Sequence, residues 1–264
     1  MLVAMPAGGL AYAMRSARTP VHAVGSRVGA FATPMRRELS PATSLAPFDG
    51  LGRPAARSCT SGAARLGATR RWIDSIVLAE RLCPFAAAPA ASERRMRMQA
   101  SHAADASALV DELAKEANLL ARSESSPGEL SHETTLLVLP LAAWCKEWHQ
   151  LVSISWMLQA EAITGQGYEQ TMQIVIFHPK AVRSTYTDAP TDAADFSLRS
   201  PFPIVQLLRE ADILAAVRSY PNPEGIPSRN AARLRALGER TCRERLQACL
   251  FTAAPGSRAA SVPQ

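Results

Sequence analysis

Between Thr134 and Pro140 the chain reads TTLLVLP, and between Gln170 and Pro179 it reads QTMQIVIFHP. Apolar residues fill the centre of both runs. Such short runs are read as strands covered on both faces. This constrains the fold more than any other feature, because covered strands need helices on either side. The intervening sequence supplies them. DASALVDELAKEANLLARS places Leu109, Leu113, Ala117 and Leu120 in line, predicting an amphipathic helix from about 105 to 122. RMRMQAS, at 95–101, alternates Met96, Met98 and Ala100 with polar residues and reads as a half-buried strand.

Upstream, TRRWIDSIVLAERL sets Trp72, Ile76 and Ala79 on one stripe, with Thr69 as its expected N-cap and Pro84 as its stop. AAWCKEWHQLVSISWMLQAEAIT predicts one helix over about 142–164. FPIVQLLREADILAAVRSY predicts one helix, or two short ones broken near Glu210. SRNAARLRALG predicts a helix capped by Ser228 and closed by Gly238. The expected fold is therefore an α/β layer: a small, mostly parallel sheet of about three strands flanked by helices. In such sheets, sites gather beyond the strands' C-terminal ends, here Pro140 and the FHP string at 177–179.

The chain's charge is unevenly spread. Residues 1–70 carry nine arginines, no lysine and only Glu38 and Asp49 as acids, a balance of +7. The whole chain is +6, so residues 71–264 stand at −1. Without a basic stripe in that part, a nucleic-acid surface is not expected. Residues 1–68 have the Arg-, Ala- and Ser-rich, acid-poor composition of a transit peptide. A mitochondrial matrix address is expected first and a plastid second, with a disordered extension as the plain alternative. The expected organisation is leader 1–68, one α/β domain over 69–250 and a frayed tail over 251–264. No apolar run approaches the roughly 20 residues of a membrane-spanning helix.

Candidate chemistry is sparse. There is no GxSxG, HExxH, P-loop or dinucleotide fingerprint, and no CxxC pair among the five cysteines. Cys83, in ERLCPFAAAP, follows a helix, whose C-terminal dipole opposes a thiolate. It is either a reactive thiol aided by a nearby cation such as Arg81 or Arg199, or a buried thiol beside a helix stop. His178, restricted to extended backbone by Pro179, suits a general base or ligand, or else a hydrogen bond to the loop backbone. Arg199, in LRSPFP, where the two following prolines fix the chain, suits a bidentate hold on an anion. The alternative is an ion pair with Asp192 or Asp195. Cys83 and His178 are the candidate catalytic residues, and Arg199 and Asp192 the candidate substrate-binding ones. Cys145 and His149 stand one helical turn apart, but two ligands make no metal site. No metal ligands are assigned, and the sequence does not identify a cofactor.

Five strings, TRRWIDSIVLAERLCPFA, TTLLVLP, QIVIFHP, RSPFPIVQLLREADILAAV and YPNPEGIPSRNAARLRALG, occur in this order over about 69–238. Together they resemble the uncharacterised family known as domain of unknown function 1415. The resemblance brings no activity. It does single out Cys83 and Pro84, His178 and Pro179, Arg199 to Pro201, and Arg229 with Asn230 as recurrent pieces. It also implies asparagine where Arg81 and Leu198 stand, and histidine where Gln206 stands. This chain has therefore lost polar groups near the expected site. Two functions remain open: a small enzyme acting on an anionic small molecule, with Cys83 or His178 doing the chemistry, or a non-catalytic binding or assembly module using the loop at 180–200.

Overall fold

The computed structural model describes residues 61–91, 95–124, 133–183 and 192–251. The expected leader up to residue 60 and the tail from 252 lie outside these. Four strands form one mixed sheet: β1 (Met96–Ala100), β2 (Thr134–Val138), β3 (Met172–Phe177) and β4 (Ile204–Arg209), in the order β1-β2-β4-β3. β1 and β2 are parallel, whereas β4 runs antiparallel to both of its neighbours. The expectation of about three mostly parallel strands is corrected to four mixed ones.

The strand that the helical reading missed is β4, IVQLLR. All six of its residues are buried. Ile204 and Leu208 pack with one apolar cluster, and Val205 and Leu207 with the other. A short run apolar on both faces carries neither the strand's alternation nor the helix's stripe, so its period does not decide. The chain changes to helix at Glu210, where α4 (Glu210–Ser219) begins.

One face of the sheet is covered by helix α1 (Gly62–Trp72), its π-type continuation Ile73–Leu78, and helices α5 (Ile226–Leu237) and α6 (Glu239–Ala248). The other is covered by α2 (Ala106–Glu124), α3 (Trp148–Met157) and the π-type turn Leu158–Ile163. Helix α1 starts at Gly62, well before Thr69. Its N-cap is Ser61, whose hydroxyl accepts from the Ala64 amide at 3.2 Å. Thr69 is buried mid-helix. Gly62 lets α1 lie against β1, because a Cβ there would come within 3.0 Å of the Ala100 Cβ. The helix expected over 142–164 is interrupted. A 3₁₀ turn, Ala143–Cys145, is followed by a new start at α3, where Glu147 and Gln150 form a capping box. The Ser228 hydroxyl donates to the Gly225 carbonyl, while Gly225 is the N-cap of α5. Gly238 closes α5 as expected, at φ +82°. No helix among the described residues is long and apolar enough to cross a membrane.

Candidate functional site

At one edge of the sheet, β1, β2 and β3 end and β4 begins. Two chain segments, 178–183 and 192–203, meet there. His178 opens the first. Its backbone N–H donates to the Leu198 carbonyl at 3.1 Å, and its own carbonyl accepts from the Ala181 amide at 3.0 Å. The side chain is fully buried. Nδ1 accepts from the Lys180 amide at 3.0 Å, so Nε2 carries the proton and donates to the Cys145 carbonyl at 3.1 Å. Both ring nitrogens are thereby used. Burial holds the imidazole below its ordinary pKa, against the pull of the Cys145 carbonyl.

Arg199 closes the same junction from the second segment. Its Nε donates to the Ala181 carbonyl at 3.0 Å, and its guanidinium stacks over Phe196, 4.6 Å from the ring centroid. Asp195 lies 3.6 Å from one of its terminal nitrogens. Asp195 also accepts from the Arg183 amide at 2.9 Å, which ties the two segments a third time. Burial pulls the Arg199 guanidinium below its ordinary value, while Asp195 and Glu239 act in the opposite sense.

Asp192 does not join Arg199. It caps the 3₁₀ turn Ala193–Ser197 through the Ala194 amide and accepts from Arg235 of α5, with Nε 3.1 Å from each carboxylate oxygen. Arg235 is the main reason that its pKa lies down at about 2.

Cys83 is in the core, packed in the cluster that holds Trp72, Phe177, Cys242 and Cys249. The turn before it is a built feature. Arg81 takes a left-handed conformation, φ +50°. The Asn230 amide donates to the Leu82 carbonyl at 2.6 Å, and Arg229 donates to the Arg81 carbonyl at 3.3 Å. The LCPF and SRN strings are therefore two halves of one contact. The Cys145 thiol donates to the Pro140 carbonyl at 3.2 Å, and burial raises its pKa. Cys145 and His149 fall in separate elements rather than on one helix.

Beside Arg199 lies a half-open cleft of about 250 Å³. Pro179, Phe196, Pro201, Leu246 and Leu250 give it an apolar lining. Arg199, Ser200, Arg243 and Gln247 supply the polar groups. Neither Cys83, His178 nor Asp192 is among the lining residues. Of the four residues singled out by sequence, the cleft thus takes one. His178 and Arg199 are brought together at the junction, while Cys83 and Asp192 are placed elsewhere.

Sequence reading missed the wall contributed by the C-terminal helix. Arg243, Leu246, Gln247 and Leu250 recur at spacings of three, one and three, the stripe of one helical face. That stripe was the available signal. Helix α6 is held against the core by Cys242 and Cys249. It is held further by Arg245, which shares the buried Glu80 carboxylate with Arg233.

No curated protein and no solved structure matches the chain. The family described as "Protein of unknown function (DUF1415)" matches residues 65–244, and the chain belongs to it.

Proposed function

We propose that this protein binds a small anion carrying an apolar group, in the cleft between the 196–201 segment and α6. The observation that carries the reading is the cleft's lining: two arginines, Arg199 and Arg243, beside Phe196, Leu246 and Leu250. Arginine matches carboxylate and phosphate geometry, and the apolar wall favours a ligand with a hydrophobic body. Binding fits better than catalysis. His178 has both nitrogens engaged, Cys83 is in the core, and neither lines the cleft. In this reading the FHP and LRSP strings are the clamp that fixes Arg199.

The test is a thermal-shift and calorimetric titration of the full chain with benzoate, inorganic phosphate and neutral benzamide. Benzoate should bind saturably and benzamide should not. Arg243→Gln should weaken benzoate binding by about tenfold or more, the loss of one charge-assisted hydrogen bond. Equal responses to benzoate and benzamide would overturn the reading.

We also propose that the protein works in an organelle matrix, mitochondrial before plastid, on the strength of the composition of residues 1–68. A reporter fused behind those residues that stayed in the cytosol would contradict it.

A further inference from the structure

The charges around the cleft do not leave it electropositive. Arg199 faces Asp195, and Arg243 is hydrogen-bonded to Glu239, one turn earlier on α6. Glu239 also acts electrostatically on Arg199. Two cations are thus met by two carboxylates, and an incoming anion gains little from the field until one carboxylate gives way. The two differ in exposure. The Asp195 side chain is 8% exposed and is held by the Arg183 amide. The Glu239 side chain is 33% exposed, and its partner Arg243 is 57% exposed. An exposed helix pair of this kind is held weakly.

We propose that Glu239, itself outside the cleft lining, is a built-in counter-ion to the lining residue Arg243, competes with an incoming anion for that guanidinium and so sets the affinity of the cleft. It rests on the anion-binding reading above. When an anion enters, Arg243 exchanges the Glu239 carboxylate for the ligand's, and Glu239 turns to solvent. Arg199, fixed by the Ala181 carbonyl and the Phe196 ring, does not move. Selectivity follows from the exchange: the ligand must match the guanidinium as well as the side-chain carboxylate already present, so anions without a bidentate oxygen face, such as chloride, are rejected.

The experiment is calorimetric titration of benzoate into the full-length wild type, Glu239→Gln and Glu244→Gln at low salt. Glu244 lies on the same helix but pairs, at 4.0 Å, with Arg240, which does not line the cleft, whereas Glu239 pairs with the lining residue Arg243. Substituting Glu244 changes net charge by the same amount. The expected result is about three- to tenfold tighter binding by Glu239→Gln, the energy of an exposed pair converted to affinity, with Glu244→Gln close to wild type. Binding seen only in Glu239→Gln supports the inference still more strongly. Equal affinity in all three proteins, or equal tightening by both variants, overturns the counter-ion role and leaves the anion-binding reading standing. Absence of binding in all three overturns both. Circular dichroism of each variant checks the fold, since Glu239 opens α6, where an acidic group favours the helix dipole.

Discussion

His178 shows how a residue of catalytic type is used as a fastener. Its ring joins the Cys145 carbonyl to the Lys180 amide, and burial keeps it neutral. The folded pKa lies below the ordinary 6.5. Just below pH 6.5 the unfolded chain therefore takes up a proton that the folded chain refuses. Stability is full above that value and falls as the pH drops through the window beneath it. Urea midpoints at pH 7.5 and pH 5.5 should show this loss. His178→Gln should flatten it, because its amide can donate to Cys145 without titrating, at a cost of about 1–2 kcal/mol for the lost Lys180 bond. An unchanged slope in that variant would show that the proton goes elsewhere. Arg81 makes the opposite point. The family pattern implies asparagine there, and the loss reads at first as a missing site group. The left-handed φ of +50° supplies a backbone reason instead, because asparagine and glycine tolerate that region better than arginine. Arg81→Gly should raise stability by ~0.5–1 kcal/mol, read from the denaturant midpoint.

At the scale of elements, the segment that follows α1 meets α5 and α6 on one carboxylate. Glu80, just beyond the π-type turn, is buried and receives Arg233 of α5 and Arg245 of α6. Burial works to raise the Glu80 carboxyl, but the two guanidinium groups outweigh it and hold it below its ordinary value. Glu80→Gln should cost ~1–3 kcal/mol. Because α6 forms the cleft wall, it should also weaken benzoate binding; a loss of stability with unchanged binding would show that α6 keeps its place without the clamp. These elements also mark how far the sequence could be read. β1 and α2 were legible from their period, and β2 and β3 from apolar runs closed by Pro140 and Pro179. β4 was not, because its run passes directly into α4 at Glu210 with no breaker between them. The residues of α1 before Thr69 were hidden by a small-residue stretch, GAARLGA, which packs closely without an apolar stripe. The prolines of LRSPFP marked the segment that holds Arg199, whereas Arg243 reaches the cleft only through the tertiary placement of α6.

For the whole molecule, the family's recurrent strings fall at two junctions. LCPF meets SRN beneath α5, and FHP meets LRSP at the sheet's edge, where the cleft opens. Between them the core thiols and the buried histidine hold shape, and Arg199 and Arg243 are among the residues that line the cleft. The claim that this space takes an anion is tested most directly by nitrogen-15 NMR of the arginine Nε–H groups in the full chain, titrated with benzoate. The account predicts saturable shifts at Arg199 and Arg243, with the second signal assigned by its disappearance in Arg243→Gln. Shifts confined to arginines away from the cleft, such as Arg229, Arg233 and Arg245, or no saturable shift at all, would contradict it.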